Sequence, residues 1–216
     1  VTGGQRIDLL GIRKEDLPGV WKDLDMPSGH AYGKSIRTVK TCVGSEFCRF
    51  GTQNSTQMGI DLEHALFNMW SPHKVKLAVS GCPRNCAESG IKDVGIIGVD
   101  SGWELYIGGN GGIKTEAGEF FVKVKTAEEV MEYSLAFLQL YREEAFYLER
   151  TVHYLQRVGM DHIKKAVLND AERRKALHQR LLFSLSFEQD PWQEQLSKPQ
   201  LKKEFERIAV KQLENA

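Results

Sequence analysis

The sequence has no hydrophobic run that could cross a bilayer and no excess of charge of either sign. Its longest apolar stretches, such as Val94 to Val99, are far shorter than the roughly 20 residues that a spanning helix needs. The 29 basic and 29 acidic side chains give a formal net charge of zero, so no surface typical of nucleic-acid binding is expected. We therefore predict neither a membrane nor a nucleic-acid partner.

The start of the chain also lacks a secretory signal. No positively charged leader with an apolar segment precedes the first residues, and the cytoplasm is the predicted location. The chain opens with Val1 instead of Met, and residues 1–10 have the composition of a strand already in progress. We therefore expect a fragment of a longer polypeptide.

The hydrophobic pattern predicts an α+β fold with a buried core. Apolar alternation and turn residues predict strands at residues 1–10, 74–79, 93–99, 103–107 and 120–124. The helical period predicts helices at residues 15–24 and 61–70, from a capping box at Thr126 onward, and at 150–158, 161–168 and 171–183. We expect a mostly antiparallel sheet with helices packed on it and a C-terminal helical extension.

Cysteine is scarce, and its four residues fall into two pairs. Cys42 and Cys48 are separated by five residues, whereas Cys82 and Cys86, on a loop after a predicted strand, are separated by three. Zinc knuckles, two-cluster ferredoxins and c-type haem sites use other spacings, namely C-x2-C, C-x2-C-x2-C and C-x-x-C-H. In a reducing compartment such pairing favours metal ligation over disulfides.

Four thiolates on two loops are a suitable ligand set for an iron–sulfur cubane. The neighbouring Gly44, Gly51 and Gly81 would let backbone N–H groups approach the inorganic sulfurs, and Pro83 would stiffen the second loop. A structural zinc site and four buried free thiols are the alternatives that the spacing alone leaves open.

Longer motifs around these cysteines resemble the siroheme and 4Fe–4S domain of nitrite and sulfite reductases. The resemblance covers roughly residues 1–145 and rests on Thr41-Cys42-x5-Cys48, Gly81-Cys82-Pro83-x2-Cys86, Val94-Gly95-Ile96-Ile97-Gly98 and Gly108-Gly109-Asn110. Within the family, the segment from Cys42 to Gln53 most resembles the large subunits of assimilatory NAD(P)H-dependent nitrite reductases.

The resemblance implies that Cys42, Cys48, Cys82 and Cys86 hold a 4Fe–4S cluster and that Cys86 is also the axial thiolate of siroheme. It implies six-electron reduction of nitrite to ammonium, with electrons from NAD(P)H through FAD in a part of the enzyme outside this chain. A sulfite reductase haemoprotein and a purely structural metal-binding or electron-carrier module are the alternatives. The fragment alone is expected to be inactive.

The same resemblance implies three functional segments and protein partners. Residues 1–36 would end a ferredoxin-like half-domain and its linker, residues 37–145 would form the siroheme and 4Fe–4S domain, and residues 146–216 would form the helical extension. The expected partners are a small subunit or upstream reductase domains, and a second copy in a homodimer.

Siroheme carries several carboxylates and nitrite is an anion, so the site needs lysine and arginine. Lys74 and Lys76, which share one face of a predicted strand, resemble the anion-binding pair of the family and are the predicted catalytic residues. The predicted cofactor-binding residues are Arg37, Lys40, Arg49, Arg84, Asn85 and Asn110. The alternative is that each cation is a solvated surface charge and that Asn110 belongs to a plain hairpin loop.

Overall fold

The structure is a computed structural model that describes residues 1–27, 33–198, 200 and 203–206. These residues form two units. The larger unit contains residues 3–5 and 33–188, and the smaller unit contains residues 1–2, 6–27 and the described residues from 189 onward. The functional segments expected to divide at residues 36 and 145 stay a prediction.

Strands precede most of the helices along the chain. The described strands are β1 (Lys40–Thr41), β2 (Leu77–Ser80), β3 (Val94–Val99), β4 (Gly102–Ile107), β5 (Asn110–Gly111), β6 (Thr115–Glu116) and β7 (Glu119–Val124). The described α-helices are α1 (Leu17–Leu24), α2 (Gly44–Phe47), α3 (Ser55–Leu66), α4 (Ala127–Glu144), α5 (Thr151–Val158), α6 (Met160–Val167), α7 (Ala171–Leu185) and α8 (Pro191–Ser197). No helix among the described residues combines the length and the apolar composition needed to span a membrane.

The main sheet has the strand order β1-β2-β3-β4-β7, and β5 pairs with β6 in a separate ribbon. The antiparallel pairs β3–β4 and β4–β7 contain six and five registered residue pairs, against two and four in the parallel pairs β1–β2 and β2–β3. The predicted α+β fold with a mostly antiparallel sheet is therefore confirmed. The parallel edge contains the strands that lead into the cysteine loops.

The core lies between the sheet and α4. Leu105 and Phe121, on neighbouring strands, are buried, and the ring centroids of Phe121 and Phe137 lie 6.1 Å apart. Helix α4 begins at the predicted capping box, in which the side chains of Thr126 and Glu129 each accept a hydrogen bond from the backbone N–H of the other. The cap therefore positions a helix whose buried face covers the sheet.

Most predicted elements are present, with shifted ends. The strands predicted at residues 93–99, 103–107 and 120–124 are confirmed as β3, β4 and β7. The helix predicted at residues 61–70 is present as α3 but begins earlier, because the Asn54 side chain accepts a hydrogen bond from Gln57 N at 3.0 Å. A polar first turn concealed this start from the hydrophobic pattern.

The strand predicted at residues 1–10 is wrong. The segment turns at Gln5, whose φ of 58° is left-handed, and Thr2 N donates to Arg6 O at 2.7 Å. The Gln5 side chain instead hydrogen-bonds both backbone groups of Thr41, at 2.7 and 2.8 Å. A strand-like composition does not form a strand where no neighbouring backbone pairs with it.

In the smaller unit, aromatic contacts connect α1 and α8. The Trp21 and Trp192 rings are stacked with centroids 5.4 Å apart, and Phe205 contacts Trp21 edge-on at 5.2 Å. Helix α8 begins where the Asp190 side chain accepts hydrogen bonds from Trp192 N and Gln193 N. These contacts account for the helical structure at both ends of the described chain.

Replacing Phe137 by Ala tests the packing of α4 on the sheet. We expect Phe137→Ala to lower the free energy of unfolding by about 3–5 kcal/mol, because Phe137 is fully buried and its removal leaves a cavity. Phe183→Ala is the matched control, since Phe183 is 68% exposed and its loss should change stability by less than about 0.5 kcal/mol. Urea unfolding measures both variants, and equal losses of stability would contradict the burial of Phe137 in the core.

Candidate metal centre and its surroundings

Both cysteine loops leave the main sheet at the same edge. Cys42 follows β1 directly, and Cys82 and Cys86 lie on the loop after β2. Because β1 and β2 are parallel neighbours, with Thr41 opposite Val79, their carboxyl ends meet. Cys42 N donates to Val79 O at 3.2 Å, so the first loop begins beside the second.

The two loops are in backbone contact at Gly81. Its carbonyl accepts hydrogen bonds from Thr52 N and Gln53 N, at 2.8 and 3.0 Å, and from the Thr52 hydroxyl at 3.0 Å. A Cβ atom on Gly81 would lie 2.8 Å from both Gly44 Cα and Gln53 O, which is closer than such atoms pack. Gly44 has a φ of 61°, which favours glycine. Only glycine lets the loops approach this closely.

The sulfur of Cys42 lies within this contact. Gly81 N donates to Cys42 Sγ at 3.1 Å, and the Ser55 hydroxyl lies 3.2 Å from the same sulfur. Burial alone raises the pKa of the Cys42 thiol, but the hydrogen bonds from Ser55, Gly81 and Gly44 outweigh it and lower the pKa below its ordinary value. The thiolate, which is the metal-binding form, is therefore easier to form at Cys42 than at a cysteine with an ordinary pKa.

The other three thiols differ in exposure: Cys82 is buried, Cys48 is half-buried and Cys86 is exposed, and all four are free. Within the described part of the chain, no three His, Cys, Asp or Glu side chains lie close enough together to hold a metal ion. The four-cysteine ligand set therefore stays a prediction. Its chemistry fits an iron–sulfur cluster, since soft sulfur donors come from two touching loops and one sulfur already accepts an amide N–H.

Two predicted cofactor-binding arginines, one from each cysteine loop, meet at one aromatic ring. The guanidinium carbons of Arg49 and Arg84 lie 4.6 and 4.0 Å from the ring centroid of Phe50, which is 43% exposed. Cation–π contacts hold both positive charges beside the cysteine loops. This arrangement fits a ligand with several carboxylates, such as siroheme.

The predicted asparagines already have partners within the protein. Asn85 has a left-handed φ of 57°, and its side-chain oxygen accepts hydrogen bonds from Gly90 N and the Ser80 hydroxyl, at 3.1 and 3.4 Å. Asn110 donates to Lys114 O at 2.8 Å within the β5–β6 ribbon. Both side chains order their own loops, and their cofactor contacts stay predictions.

Lys40 and Arg37 lie on the approach to Cys42. Lys40 Nζ is 3.1 Å from Glu88 Oε2, which also accepts from Lys92 Nζ at 2.9 Å. Hydrogen bonds from Lys92 and then Lys40 lower the pKa of Glu88 to about 2. Arg37 is half-buried, and its backbone N donates to Val75 O at 2.8 Å. Lys40 is thus already paired with a carboxylate of the protein. Cofactor binding by Lys40 and Arg37 stays a prediction.

Lys74 and Lys76 lie just before β2, on either side of Val75. The strand predicted from residue 74 begins only at Leu77, although Val75 forms an isolated parallel bridge with Ile36. Since Val75 is fully buried, the alternation places both lysines on the face away from the core. Neither lysine lies within β2, so their place on one face of a strand and their catalytic role both stay predictions.

Positive charge is concentrated around Lys76. The pKa of Lys76 lies below its usual value, first because its ammonium group is partly desolvated. The neighbouring cations that lower this pKa further are Lys74, Lys92 and Arg150, whereas Asp93 opposes them. Such a surface favours a small anion.

A buried carboxylate that the sequence did not reveal orders this surface. Asp93 is 1% exposed and accepts hydrogen bonds from Lys76 N at 2.8 Å, from Arg150 Nη2 at 3.1 Å and from the Thr151 hydroxyl. Asp93 thereby connects the start of α5 to residues 74–76, here called the lysine segment. No sequence pattern joins Asp93 to residues 57 and 58 positions away, so only the fold reveals this contact.

Comparisons with known proteins show the family of the chain. The family described as "Nitrite and sulphite reductase 4Fe-4S domain" matches residues 32–175. A nitrite reductase [NAD(P)H] of Bacillus subtilis is 61% identical over 211 residues, which are 97% of this chain and 26% of that protein. The chain thus spans about a quarter of the length of this relative.

Two further proteins extend the comparison. An assimilatory-type sulfite reductase of Nitratidesulfovibrio vulgaris is 33% identical over 168 residues, covering 78% of this chain and 77% of that protein. The solved structure of the NirA protein of Mycobacterium tuberculosis aligns with a TM-score of 0.61 at 19% identity, over 70% of this chain and 30% of that one. The latter likeness concerns the fold alone.

Breaking the Asp93–Arg150 pair should destabilise the larger unit. We expect Arg150→Met to lower the free energy of unfolding by about 3–5 kcal/mol, because it leaves a buried carboxylate without its cation. Lys175→Met is the control, since the Lys175–Glu172 pair is exposed and worth less than about 1 kcal/mol. Urea unfolding curves measure both, and a loss at Arg150 no larger than at Lys175 would refute the role of this pair.

The pH dependence of stability should reveal the Glu88 ion pairs. Because the pKa of Glu88 falls from 4.5 to about 2 on folding, its stabilisation is present above pH 4.5 and is lost as the pH falls toward 2. Glu88→Gln should therefore be less stable than wild type near neutral pH, and the difference should shrink as the solution is acidified. Urea midpoints between pH 7 and pH 3 measure this, and a constant difference contradicts it.

Proposed function

Since the chain belongs to the nitrite and sulphite reductase 4Fe-4S domain family, we propose that it is the siroheme- and 4Fe–4S-binding part of an assimilatory NAD(P)H-dependent nitrite reductase. The observation that carries this proposal is the backbone contact at Gly81, which joins the two cysteine loops at one sheet edge. The 61% identity to a nitrite reductase favours nitrite as the substrate.

The proposed cluster ligands are Cys42, Cys48, Cys82 and Cys86. The lowered pKa of Cys42 and the amide hydrogen bond to its sulfur suit a cluster ligand, while the exposed Cys86 suits a sulfur that also binds the siroheme iron. When bound, the cluster and siroheme would carry electrons from the external donor to nitrite, which is thereby reduced to ammonium.

The protein side chains bind and orient the charged groups. Arg49 and Arg84, both held against Phe50, are placed to pair with siroheme carboxylates. Lys74 and Lys76 raise the local concentration of an anionic substrate. The partly desolvated ammonium group of Lys76, whose pKa is lowered, can also donate a proton more readily than an ordinary lysine. We assign anion binding to both lysines on these grounds.

The wider enzyme is part of the same proposal. We expect electrons from NAD(P)H to pass through FAD in other parts of a longer polypeptide or in a partner such as a small subunit, and we expect a cytoplasmic location. A homodimer in which Lys74 and Lys76 serve the haem of the neighbouring subunit is also expected. The relative of Bacillus subtilis, about four times as long as the matched region, is consistent with such further parts.

Sulfite reduction is the second candidate function. The assimilatory-type sulfite reductase of Nitratidesulfovibrio vulgaris supports it, because the chain covers 77% of that protein at 33% identity. Sulfite is an anion that needs the same electrons and the same positive surface. The two functions differ only in the substrate that the full enzyme turns over faster.

The test uses the full-length polypeptide, purified without oxygen after expression with iron and siroheme synthesis. We expect Soret and visible siroheme bands, iron and acid-labile sulfide in a ratio of about five to four because siroheme adds one iron to those of the cluster, and ammonium formed one for one with the nitrite consumed. Cys86→Ser should remove both the siroheme bands and the activity, because this sulfur is proposed to bind both cofactors. The measurements are absorption spectra, iron and sulfide analysis, and ammonium assay.

Thr56→Ala is the matched control, since Thr56 lies near Cys42 but contacts only its carbonyl, at 3.4 Å. It should retain cofactors and activity. A colourless protein, or one that contains zinc and no siroheme, would refute the proposed enzyme in favour of a structural module. Faster turnover of sulfite than of nitrite would refute nitrite as the substrate and favour a sulfite reductase.

A further inference from the structure

The Cys42 sulfur differs from the other three cysteine sulfurs in its surroundings. Gly81 N donates to it at 3.1 Å and the Ser55 hydroxyl lies 3.2 Å from it. Ser55 is fully buried at the first turn of α3, so water does not compete for this hydroxyl. Within the described residues, no side-chain hydrogen bond is present at Cys48, Cys82 or Cys86.

The hydroxyl of Ser55 has a second acceptor within reach. It donates to Cys42 O at 2.9 Å, and a hydroxyl has one proton to give. Thr56 Oγ1 also donates to Cys42 O, at 3.4 Å. The carbonyl of Cys42 therefore keeps a hydroxyl partner when Ser55 turns its proton toward the sulfur.

A sulfur that is bound to iron carries no proton and can only accept hydrogen bonds. In that state the Ser55 hydroxyl, 3.2 Å from Cys42 Sγ, can turn its proton toward the sulfur. The bound sulfur would then accept from this hydroxyl as well as from Gly81 N. The Gly81 donor is a backbone group held by the loop contact, so Ser55 is the side chain that can be altered.

We propose that Ser55 is a positioning residue that donates a hydrogen bond to the Cys42 sulfur and thereby raises the reduction potential of the iron–sulfur cluster. This inference rests on the proposed function, which places a cluster at Cys42. Reduction adds negative charge that is shared by the thiolate ligands, and a buried donor stabilises the reduced state more than the oxidised one. Ser55 thus makes the cluster a better acceptor for electrons.

The test is a redox titration of the cluster in the full-length enzyme, followed by electron paramagnetic resonance. Ser55→Ala should shift the midpoint to a more negative potential, with the ratio of reduced to oxidised cluster at a fixed potential falling by up to about tenfold, or ~59 mV for one electron. Thr56→Ala is the matched control, because Thr56 contacts the Cys42 carbonyl and not its sulfur. It should leave the midpoint close to that of wild type.

Each outcome decides the inference. An unchanged or more positive midpoint in Ser55→Ala, or an equal shift in Thr56→Ala, overturns the role of Ser55 while the cluster in the wild type still supports the proposed function. If Ser55→Ala assembles no cluster, Ser55→Thr, which keeps the hydroxyl, is measured next. Assembly in Ser55→Thr supports the role of the hydroxyl, and failure in both variants overturns it. A wild-type enzyme without a cluster refutes the proposed function itself.

Discussion

The close approach of two backbone segments at Gly81 is the constraint on which the candidate site depends. The Gly81 carbonyl accepts three hydrogen bonds from the first cysteine loop, and its N–H donates to the Cys42 sulfur in that same loop. A side chain on Gly81 would collide with Gly44 and Gln53. The two cysteine loops therefore meet because two glycines allow their backbones to touch, and Arg49 and Arg84, one from each loop, contact the same Phe50 ring.

A buried carboxylate connects this sheet edge to the helices. Asp93 accepts hydrogen bonds from the lysine segment on one side and from Arg150 and Thr151 on the other. Burying a charge is costly unless every lone pair is satisfied, so the position of each donor is closely determined by the others. The helices after β7 thus order the segment that carries Lys74 and Lys76, which gives the C-terminal helical part a structural role at the proposed anion surface.

Local sequence signals predicted elements well where the chemistry was local. The capping box at Thr126 placed the start of α4, and apolar alternation placed β3, β4 and β7. The signals failed where the partner was distant or absent. Residues 1–10 have a strand-like composition but pair with no strand, and Gln5 instead uses its side chain to bond Thr41, 36 residues later. The polar start of α3, with Asn54 as its cap, was missed for lack of an apolar face.

The sequence by itself determined the chemistry of the candidate site: four sulfur donors in two pairs, glycines beside them and cations nearby, together with the α+β order of elements. These properties depend on which residues are present and on their spacing along the chain, and both can be read without the fold. Only the tertiary structure decided that the two loops touch through Gly81, that Ser55 lies against the Cys42 sulfur and that Asp93 joins Lys76 to Arg150. Those contacts depend on strand order and close packing, which bring together residues that no local pattern relates.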